Sequence, residues 1–384
     1  MRLLFVTGSL VHGGAERHSI TLVNRLAERG HECHVAYVRD DASQLERVRG
    51  AASVRCLAAR KHLDLKAVQS LSSLMKGISA SVIVAANPYA LLYATLARRL
   101  AGAGAPLAAT FHTTVPAGMK EWLQMIYYRP FFWNADCLVY VCEAQRLYWR
   151  RRRLWGRRDA VIHNGVDLEH WAPRSGAERA MIRRVLGIAE GDFVVGQCAV
   201  FRPEKNHLQL VDAVARLRAR GVAARALLIG DGPMRARIEA RARRAGVAGE
   251  VQITGFQQDV RPLVGACDAI ALCSSSVETF SLAALEAMAL ARPVVHSRIG
   301  GAAEMVEHGR TGYLFPVNDG AALVERLKQA AAPGACRRMG AAAREAVEAR
   351  FSERAMVDRY ESMLAELDSM RSKREDLRRS AAAY

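Results

Sequence analysis

The opening residues do not read as a signal peptide, the cysteines lack metal or disulfide spacing, and the acids include no Asp-x-Asp, and each absence weighs against a class of function. A spanning helix needs about 20 mostly apolar residues in a row. The opening Arg2-Leu-Leu-Phe-Val-Thr-Gly has four before polar atoms intervene, which suits a buried strand. The protein is therefore expected to be cytoplasmic. Eight cysteines at positions 33, 56, 137, 142, 198, 267, 273 and 336 form no Cys-x-x-Cys, and several fall in apolar runs. Buried, reduced thiols fit that pattern, and a zinc or disulfide framework does not. Without Asp-x-Asp there is no carboxylate pair to clamp a diphosphate through a metal, so neither metal nor cofactor is expected.

Acidic residues are also in short supply. Against 55 Lys and Arg stand 38 Asp and Glu, a formal charge of +17. Such an excess suits nucleic acid, an anionic membrane surface or an acidic substrate. An arginine-rich composition alone produces it equally well. The 384 residues suggest two domains of about 150–200 residues each. A 51% hydrophobic, 24% charged composition is that of a soluble globular protein.

Short continuous Val/Ile/Leu/Ala runs at residues 3–7, 33–38, 82–86, 107–111 and 137–141 alternate with helical patterns. The scheme repeats with runs at 193–198, 225–229, 251–254, 269–272 and 293–296. Runs apolar on both faces, separated by helices, predict two α/β doubly wound parallel sheets. The join falls near His163-Asn-Gly-Val-Asp167, a turn-forming cluster. Long helical patterns begin near Pro333 and end in the charged block Arg371–Arg379, read as a solvated helix end or tail.

In such sheets ligands bind at the carboxyl ends of strands, so the segments after each strand matter most. Ser276-Val-Glu278-Thr-Phe280-Ser281-Leu282-Ala-Ala-Leu-Glu286 places one carboxylate in a Ser-rich loop and another inside an apolar helix. A glutamate among Leu, Ala and Met is costly to bury without hydrogen bonds. The Phe280–Leu282 backbone opens a helix, where free N–H groups and the dipole favour a phosphate. If both were helical, Glu278 and Glu286 would stand about 12 Å apart along the axis. That is too far for a glycosidase pair at roughly 5–9.5 Å, so two carboxylates reading different hydroxyls fit better.

Arg202-Pro203-Glu204-Lys205 follows the first strand of the second half. Arg202 and Lys205 at i, i+3 share a side of a helical turn, and basic groups at a helix start oppose the dipole unless an anion compensates. They make a diphosphate site; solvated cations are the plainer alternative. Gly8-Ser-Leu-Val-His12-Gly13-Gly14 lacks Gly-x-Gly-x-x-Gly, which disfavours NAD, yet two glycines still let the backbone approach a phosphate or sugar. Gly230-Asp-Gly-Pro233, Gly255-Phe256 and Ser297-Arg-Ile-Gly300-Gly301 are further strand-end turns, weak signals individually. His112 ends the run 107–111, where a structural or a catalytic role is open. Trp122, Trp133, Trp149 and Trp155 fall in one stretch with Arg150–Arg153 behind. A membrane interface with anionic lipids and an ordinary packed helix pair both account for them.

Gly13-Gly14-Ala15-Glu16, His112, Asn164-Gly165-Val166-Asp167, Arg202-Pro-Glu-Lys205, Gly230-Asp-Gly-Pro233 and Glu278-x7-Glu286 occur in an order that resembles family 4 retaining glycosyltransferases, over about residues 3–350. The resemblance implies a GT-B fold, two Rossmann-like domains facing a cleft. Residues 1–168 would form the acceptor domain and 169–350 the nucleotide-sugar domain, with a C-terminal helix of about 351–384 returning to the first. It implies that Arg202 and Lys205 hold the donor diphosphate and that Glu286 binds ribose hydroxyls. Glu278 with the Phe280, Ser281 and Leu282 backbone would hold the transferred sugar and phosphate. His112 would contact the sugar near the reacting carbon, and Gly13, Gly14, Asn164, Gly230, Gly255 and Phe256 would line the donor site. Glu-Thr-Phe-Ser at 278–281 departs from the more usual Glu-Gly-Phe-Gly. The expected function is metal-independent transfer from a nucleotide-diphosphate sugar to a lipid-linked or cell-surface glycan precursor, with peripheral contact at an anionic membrane and no nucleic acid. A sugar-nucleotide epimerase, a glycan phosphorylase and a basic nucleic-acid-binding protein are the alternatives.

Overall fold

Parallel strands buried on both faces read as unbroken apolar runs, and the chain builds two sheets from them. The structure, a computed structural model, describes all residues but His12, Val115, Ala117, Ala383 and Tyr384, with side chains described to Lys373. It divides into two compact units, Met1–Asn164 with Ala355–Tyr384, and Gly165–Arg354.

The first unit holds β1 (Arg2–Thr7), β2 (Glu32–Tyr37), β3 (Ala51–Cys56), β4 (Val82–Ala86), β5 (Leu107–Phe111), β6 (Cys137–Tyr140) and β7 (Asp159–Val161). They form one parallel sheet in the order β3-β2-β1-β4-β5-β6-β7. Alternate residues of β1 serve opposite faces. Leu4 and Val6 pack with Ile83, Tyr93 and Trp149, whereas Leu3 and Phe5 pack with Val84, Met356, Tyr360 and Leu364. The last three come from the helix Glu353–Ala382, whose Met356, Val357, Tyr360, Leu364 and Leu367 are all buried. At about 1.5–3 kcal/mol for each large apolar side chain buried, that stripe anchors the helix to the sheet.

The second unit holds β8 (Phe193–Cys198), β9 (Ala224–Ile229), β10 (Val251–Ile253), β11 (Ala269–Leu272), β12 (Val294–Ser297) and β13 (Gly312–Phe315). Their order is β10-β9-β8-β11-β12-β13, again all parallel. Each sheet reverses direction of winding once, between β1 and β4 and between β8 and β11. Connections leave these neighbours on opposite faces, so a crevice opens outside their carboxyl ends.

Several elements go beyond the sequence reading, the three-residue edge strand β7 among them. The edge strand β3, Ala-Ala-Ser-Val-Arg-Cys, has no fully buried residue and so carries no apolar run. The edge strand β13 has only four residues, and the polar helix Gly176–Val185 buries one of its ten. All eight cysteines are free thiols, and burial pushes Cys33, Cys137, Cys267, Cys273 and Cys336 up to about 12. Among the described residues no helix is long and apolar enough to cross a membrane. The aromatic stretch divides: Trp149 is a core residue, 1% exposed, whereas Trp122, Trp133 and Trp155 are about two-fifths exposed, at 38%, 43% and 41%.

Candidate active site

In the second unit the segment after β8 makes one tight turn, Pro203–Lys205, passes through Asn206 at φ +50°, and enters the helix His207–Ala219. Proline at the first position of that turn removes a donor that would lack a partner there. The backbone of this segment is tied to its surroundings at both ends. Gln197 Nε2 donates to Lys205 O at 2.6 Å, and Ser275 N donates to Glu204 O at 2.8 Å. The second bond joins the loop after β8 to the loop after β11, the two strands that flank the switch point.

Across that point Lys205 Nζ lies 2.7 Å from Glu278 Oε2. Ser274 Oγ donates to the same oxygen at 3.0 Å, and Ser297 Oγ donates to Ser274 O at 2.7 Å. His296 is buried with Nδ1 2.7 Å from Ser297 O. A carbonyl only accepts, so Nδ1 carries the proton. Burial alone pushes the Glu278 carboxyl up, but Lys205, His296 and the hydrogen bonds from Lys205 and Ser274 outweigh it and hold it below the usual carboxylate range. Burial lowers His296 despite the neighbouring Glu278 charge. Glu278 is thus an ionised, hydrogen-bond-accepting group and a weak base.

The loop then turns into the helix Leu282–Ala289. Phe280 faces inward, 4% exposed, with its ring 5.5 Å from that of Phe351. The Ser281 hydroxyl caps the helix by accepting from Ala284 N at 3.4 Å. What remains for a ligand is backbone, where first-turn N–H groups such as that of Leu282 lack intrahelical acceptors. Glu286 lies one turn further along the same helix, 9% exposed between the fully buried Leu285 and Ala287.

Neighbouring strand ends complete the rim. Gly230 and Gly255 form an isolated antiparallel bridge between the segments after β9 and β10. Gly230 sits at φ +138°, and a Cβ there would come 2.2 Å from Ala199 O. Phe256 stands 83% exposed beside this bridge, and the Arg202 side chain also reaches solvent. Gly300 and Gly301 support the site from behind. Gly301 N donates to Thr279 O at 2.6 Å, and a Cβ on Gly300 would fall 2.5 Å from both Glu278 O and Thr279 O.

Gly13, Gly14, His112 and Asn164 belong to the first unit. Gly13 is the extended residue preceding the helix Gly14–Glu28, where a Cβ would strike Glu16 Oε2 at 2.1 Å. His12 of this turn lies outside the described residues. His112 follows β5 with Nε2 buried and without a hydrogen-bond partner, and burial lowers it to about 4. Its ring meets His18 edge-on at 4.8 Å, and His18 meets Tyr360 at 5.3 Å. Gln145 and Trp149 fix the segment around it by donating to Thr113 O at 3.0 and 2.8 Å. Asn164 is 6% exposed at the end of the unit.

The structure therefore joins Lys205 to Glu278 and Gly230 to Gly255, and leaves Arg202 and Phe256 pointing to solvent. Ser274 and His296 around Glu278, and His18 with Tyr360 behind His112, escape sequence reading because neither spacing nor composition marks them; Ser297 lies in the strand-end turn that sequence marks only weakly. Among the described residues no cluster of three or more His, Cys, Asp or Glu is arranged to hold a metal ion.

Residues 12–170 match the family described as Glycosyltransferase Family 4, and residues 178–346 match Glycosyl transferases group 1. EpsD of Bacillus subtilis is 30% identical over 253 residues, 65% of this chain and 65% of its own length. The lipopolysaccharide core biosynthesis glycosyltransferase LpsE of Rhizobium meliloti is 29% identical over 364 residues, 92% of this chain and 96% of its own. Among solved structures, Anabaena HepE in complex with UDP superposes with a TM-score of 0.86 at 23% identity, covering 95% of this chain and 100% of that one. HepE has also been crystallised with UDP-glucose. Two family patterns in tandem, in a chain of two doubly wound parallel sheets that superposes on a solved glycosyltransferase-fold structure over 95% of its length, show that the chain belongs to the family 4 glycosyltransferases of the GT-B fold.

Proposed function

We propose that the protein is a retaining glycosyltransferase that moves a sugar from a nucleotide-diphosphate donor to a hydroxyl of a lipid-linked or cell-surface glycan precursor. The observation that carries this reading is the Lys205–Glu278 pair at the switch point between β8 and β11. A cation beside a helix start suits a diphosphate, and an ionised carboxylate suits sugar hydroxyls. Arg202, Lys205 and the amide groups at the start of Leu282–Ala289 would take the charge that develops on the departing phosphate, the interaction that most lowers such a barrier. No resident metal or cofactor is required for that compensation. Glu286 would accept from ribose hydroxyls and Phe256 would face the base, and the donor-contact roles of Gly13, Gly14, His112 and Asn164 stand as the family resemblance implies them.

Glu278 already accepts from Lys205 and Ser274, which makes it a poor nucleophile. The reading therefore has the acceptor oxygen form its bond on the face from which the C1–phosphate bond breaks. The leaving phosphate oxygen takes the acceptor proton. HepE binds UDP and UDP-glucose, and LpsE acts in lipopolysaccharide core biosynthesis; both support a nucleotide sugar and a glycan acceptor. Trp122, Leu123, Ile126 and Tyr127 are exposed along the helix Met119–Trp133, and with the +17 charge they favour peripheral contact with an anionic membrane.

The test is turnover of a panel of nucleotide sugars with and without Lys205→Ala, with the product anomer assigned by proton NMR and parallel reactions in EDTA. Turnover untouched by the substitution would remove the reading. An inverted anomer would remove the retaining assignment, and loss in EDTA the metal-independent one. Donor consumption without acceptor would point to an epimerase.

A further inference from the structure

A second concavity lies at the other end of the first unit's sheet, away from the strand ends that carry Gly13 and His112. A cavity of about 300 Å3 opens at the amino ends of β5, β6 and β7, where Pro106, Asp136 and Arg158 immediately precede the strands. Five guanidinium groups, of Arg98, Arg99, Arg157, Arg158 and Arg371, line it. Its single lining carboxylate among the described residues is Asp136.

Asp136 is committed to the fold. One oxygen accepts from Leu107 N at 2.9 Å and Arg98 at 2.6 Å, and the other accepts from Arg157 at 3.2 Å. Arg98 also donates to Ala105 O at 3.4 Å and Asn134 O at 3.3 Å, so this pair braces the strand starts. Beyond the lining, Glu366 lies 3.5 Å from Arg158, and Asp368 lies 3.0 Å from Arg371. Among the described residues, five lining cations meet one lining and two flanking carboxylates, a local excess of positive charge. The Arg157 and Arg158 side chains are 54% and 52% exposed, open to a ligand. Like charges gathered in a concavity repel one another unless an anion enters. Guanidinium forks match a phosphate in geometry as well as charge.

An aromatic pair adjoins the site. The rings of Trp133 and Trp155 lie 6.3 Å apart and are 43% and 41% exposed. Trp133 directly precedes Asn134, whose carbonyl and side-chain oxygens accept from Arg98 and Arg99. Amphipathic rings beside a cationic pocket suit the boundary between lipid headgroups and acyl chains.

We propose that this pocket binds a phosphate group, carried by a phospholipid headgroup or by a soluble phosphoester. The proposal is independent of the donor site, so it survives or falls whatever Lys205→Ala does to turnover. The test uses the full chain with Arg157→Gln and Arg158→Gln combined. The charge-matched control is Arg243→Gln with Arg244→Gln, on an exposed stretch of helix in the second unit. One arm measures sedimentation with phosphatidylcholine vesicles with and without phosphatidylglycerol. The other titrates inorganic pyrophosphate in the presence of excess UDP. The pocket variant is expected to lose about tenfold or more in one arm, with the control within about twofold of the parent. Loss toward vesicles alone assigns a headgroup, and loss toward pyrophosphate assigns a soluble phosphoester. Equal binding by pocket variant, control and parent in both arms overturns the proposal. Should the first variant melt early, Arg99→Gln with Arg371→Gln, which keeps Arg98, Arg157 and Asp136 in place, carries the same outcomes.

Discussion

Lys205 and Glu278, 73 residues apart in sequence, meet at 2.7 Å because β8 and β11 are neighbours in the sheet. The two side chains are 26% and 12% exposed, between the limits of a surface pair and a buried one. Removing either leaves the other charge half-buried and unpaired. Lys205→Met or Glu278→Leu should each cost about 1–3 kcal/mol of stability, between the exposed and buried limits. The double variant should recover most of that loss, since it buries no lone charge. Turnover should behave differently, with all three variants down by about 10²–10³-fold, the usual effect of losing one charge-stabilising group. Thermal melts and initial rates on the four proteins test this. A double variant that regains turnover would make the pair structural.

Gly300 is the residue behind that site. At φ +54° with Glu278 O and Thr279 O each 2.5 Å from a would-be Cβ, Gly300→Ala meets both a left-handed backbone and two carbonyls. Gly309→Ala shares the positive φ, at +84°, but opens into free space. Backbone strain alone costs roughly 1 kcal/mol, so both should melt a few degrees lower. Only Gly300→Ala should also weaken UDP binding, by about tenfold or more, through displacement of the Glu278 loop. Calorimetric titration of both variants with UDP decides the matter. Equal affinities would show that the Gly300 turn does not shape the site.

What could be read in the sequence follows from what each residue's signal depends on. Glu286 stands out because a carboxylate in an apolar helix is a local anomaly, Glu278 because its Ser-rich loop runs straight into that helix, and Arg202 and Lys205 because cations oppose a helix start. Such signals need only a few neighbouring residues. Ser274, His296 and Ser297 reach Glu278 through the β8-β11-β12 order, a long-range fact that no window of sequence contains. His18 and Tyr360 likewise meet only because a helix some 340 residues later packs on the first sheet. Among strands, the interior ones were legible as apolar runs. The edge β3 was not, because none of its residues is fully buried, and neither was β13, because it is only four residues long and opens on a glycine. The tryptophan stretch divides for a similar reason: periodicity alone does not tell that Trp149 turns inward to donate to Thr113 O while Trp133 stays out.

His207 offers a test of how burial of neutral imidazole limits acid stability. It is 2% exposed against Phe201 at 4.6 Å, neither ring nitrogen has a hydrogen-bond partner, and burial with the nearby Lys205 charge lowers it to about 4. An unfolded histidine takes its proton near 6.5. The folded pKa is depressed, so the stability is present above about 6.5 and is lost as pH falls toward 4. The loss runs at about 1.4 kcal/mol per pH unit for each such histidine. His112, also lowered to about 4, acts in the same window. His207→Leu keeps the contact apolar and removes one proton. Its melting temperature should match the parent within a few degrees at pH 7.5 and exceed it at pH 5. Parallel pH dependences for the two proteins would mean that His207 does not titrate in this range.

Phe256 poses the opposite case, a large apolar ring with almost nothing to pack on. At 83% exposure it buries little area in its own unit, so its removal should hardly change the fold. Its position is set by Gly255 at φ +72°, bridged to Gly230 on the rim after β9 and β10. Under the proposed function this ring stacks on the base, and base–aromatic stacking contributes roughly 1–3 kcal/mol. Phe256→Ala should therefore weaken UDP binding by about 5–150-fold and leave the melting temperature of the unliganded protein within about 1 °C of the parent. Phe256→Tyr should bind like the parent, since it keeps the π-face. Calorimetry with UDP and with inorganic pyrophosphate separates the base from the phosphates, because only the former should lose affinity. A variant that binds UDP as the parent does would take Phe256 out of the site and leave the Lys205–Glu278 pair unaffected.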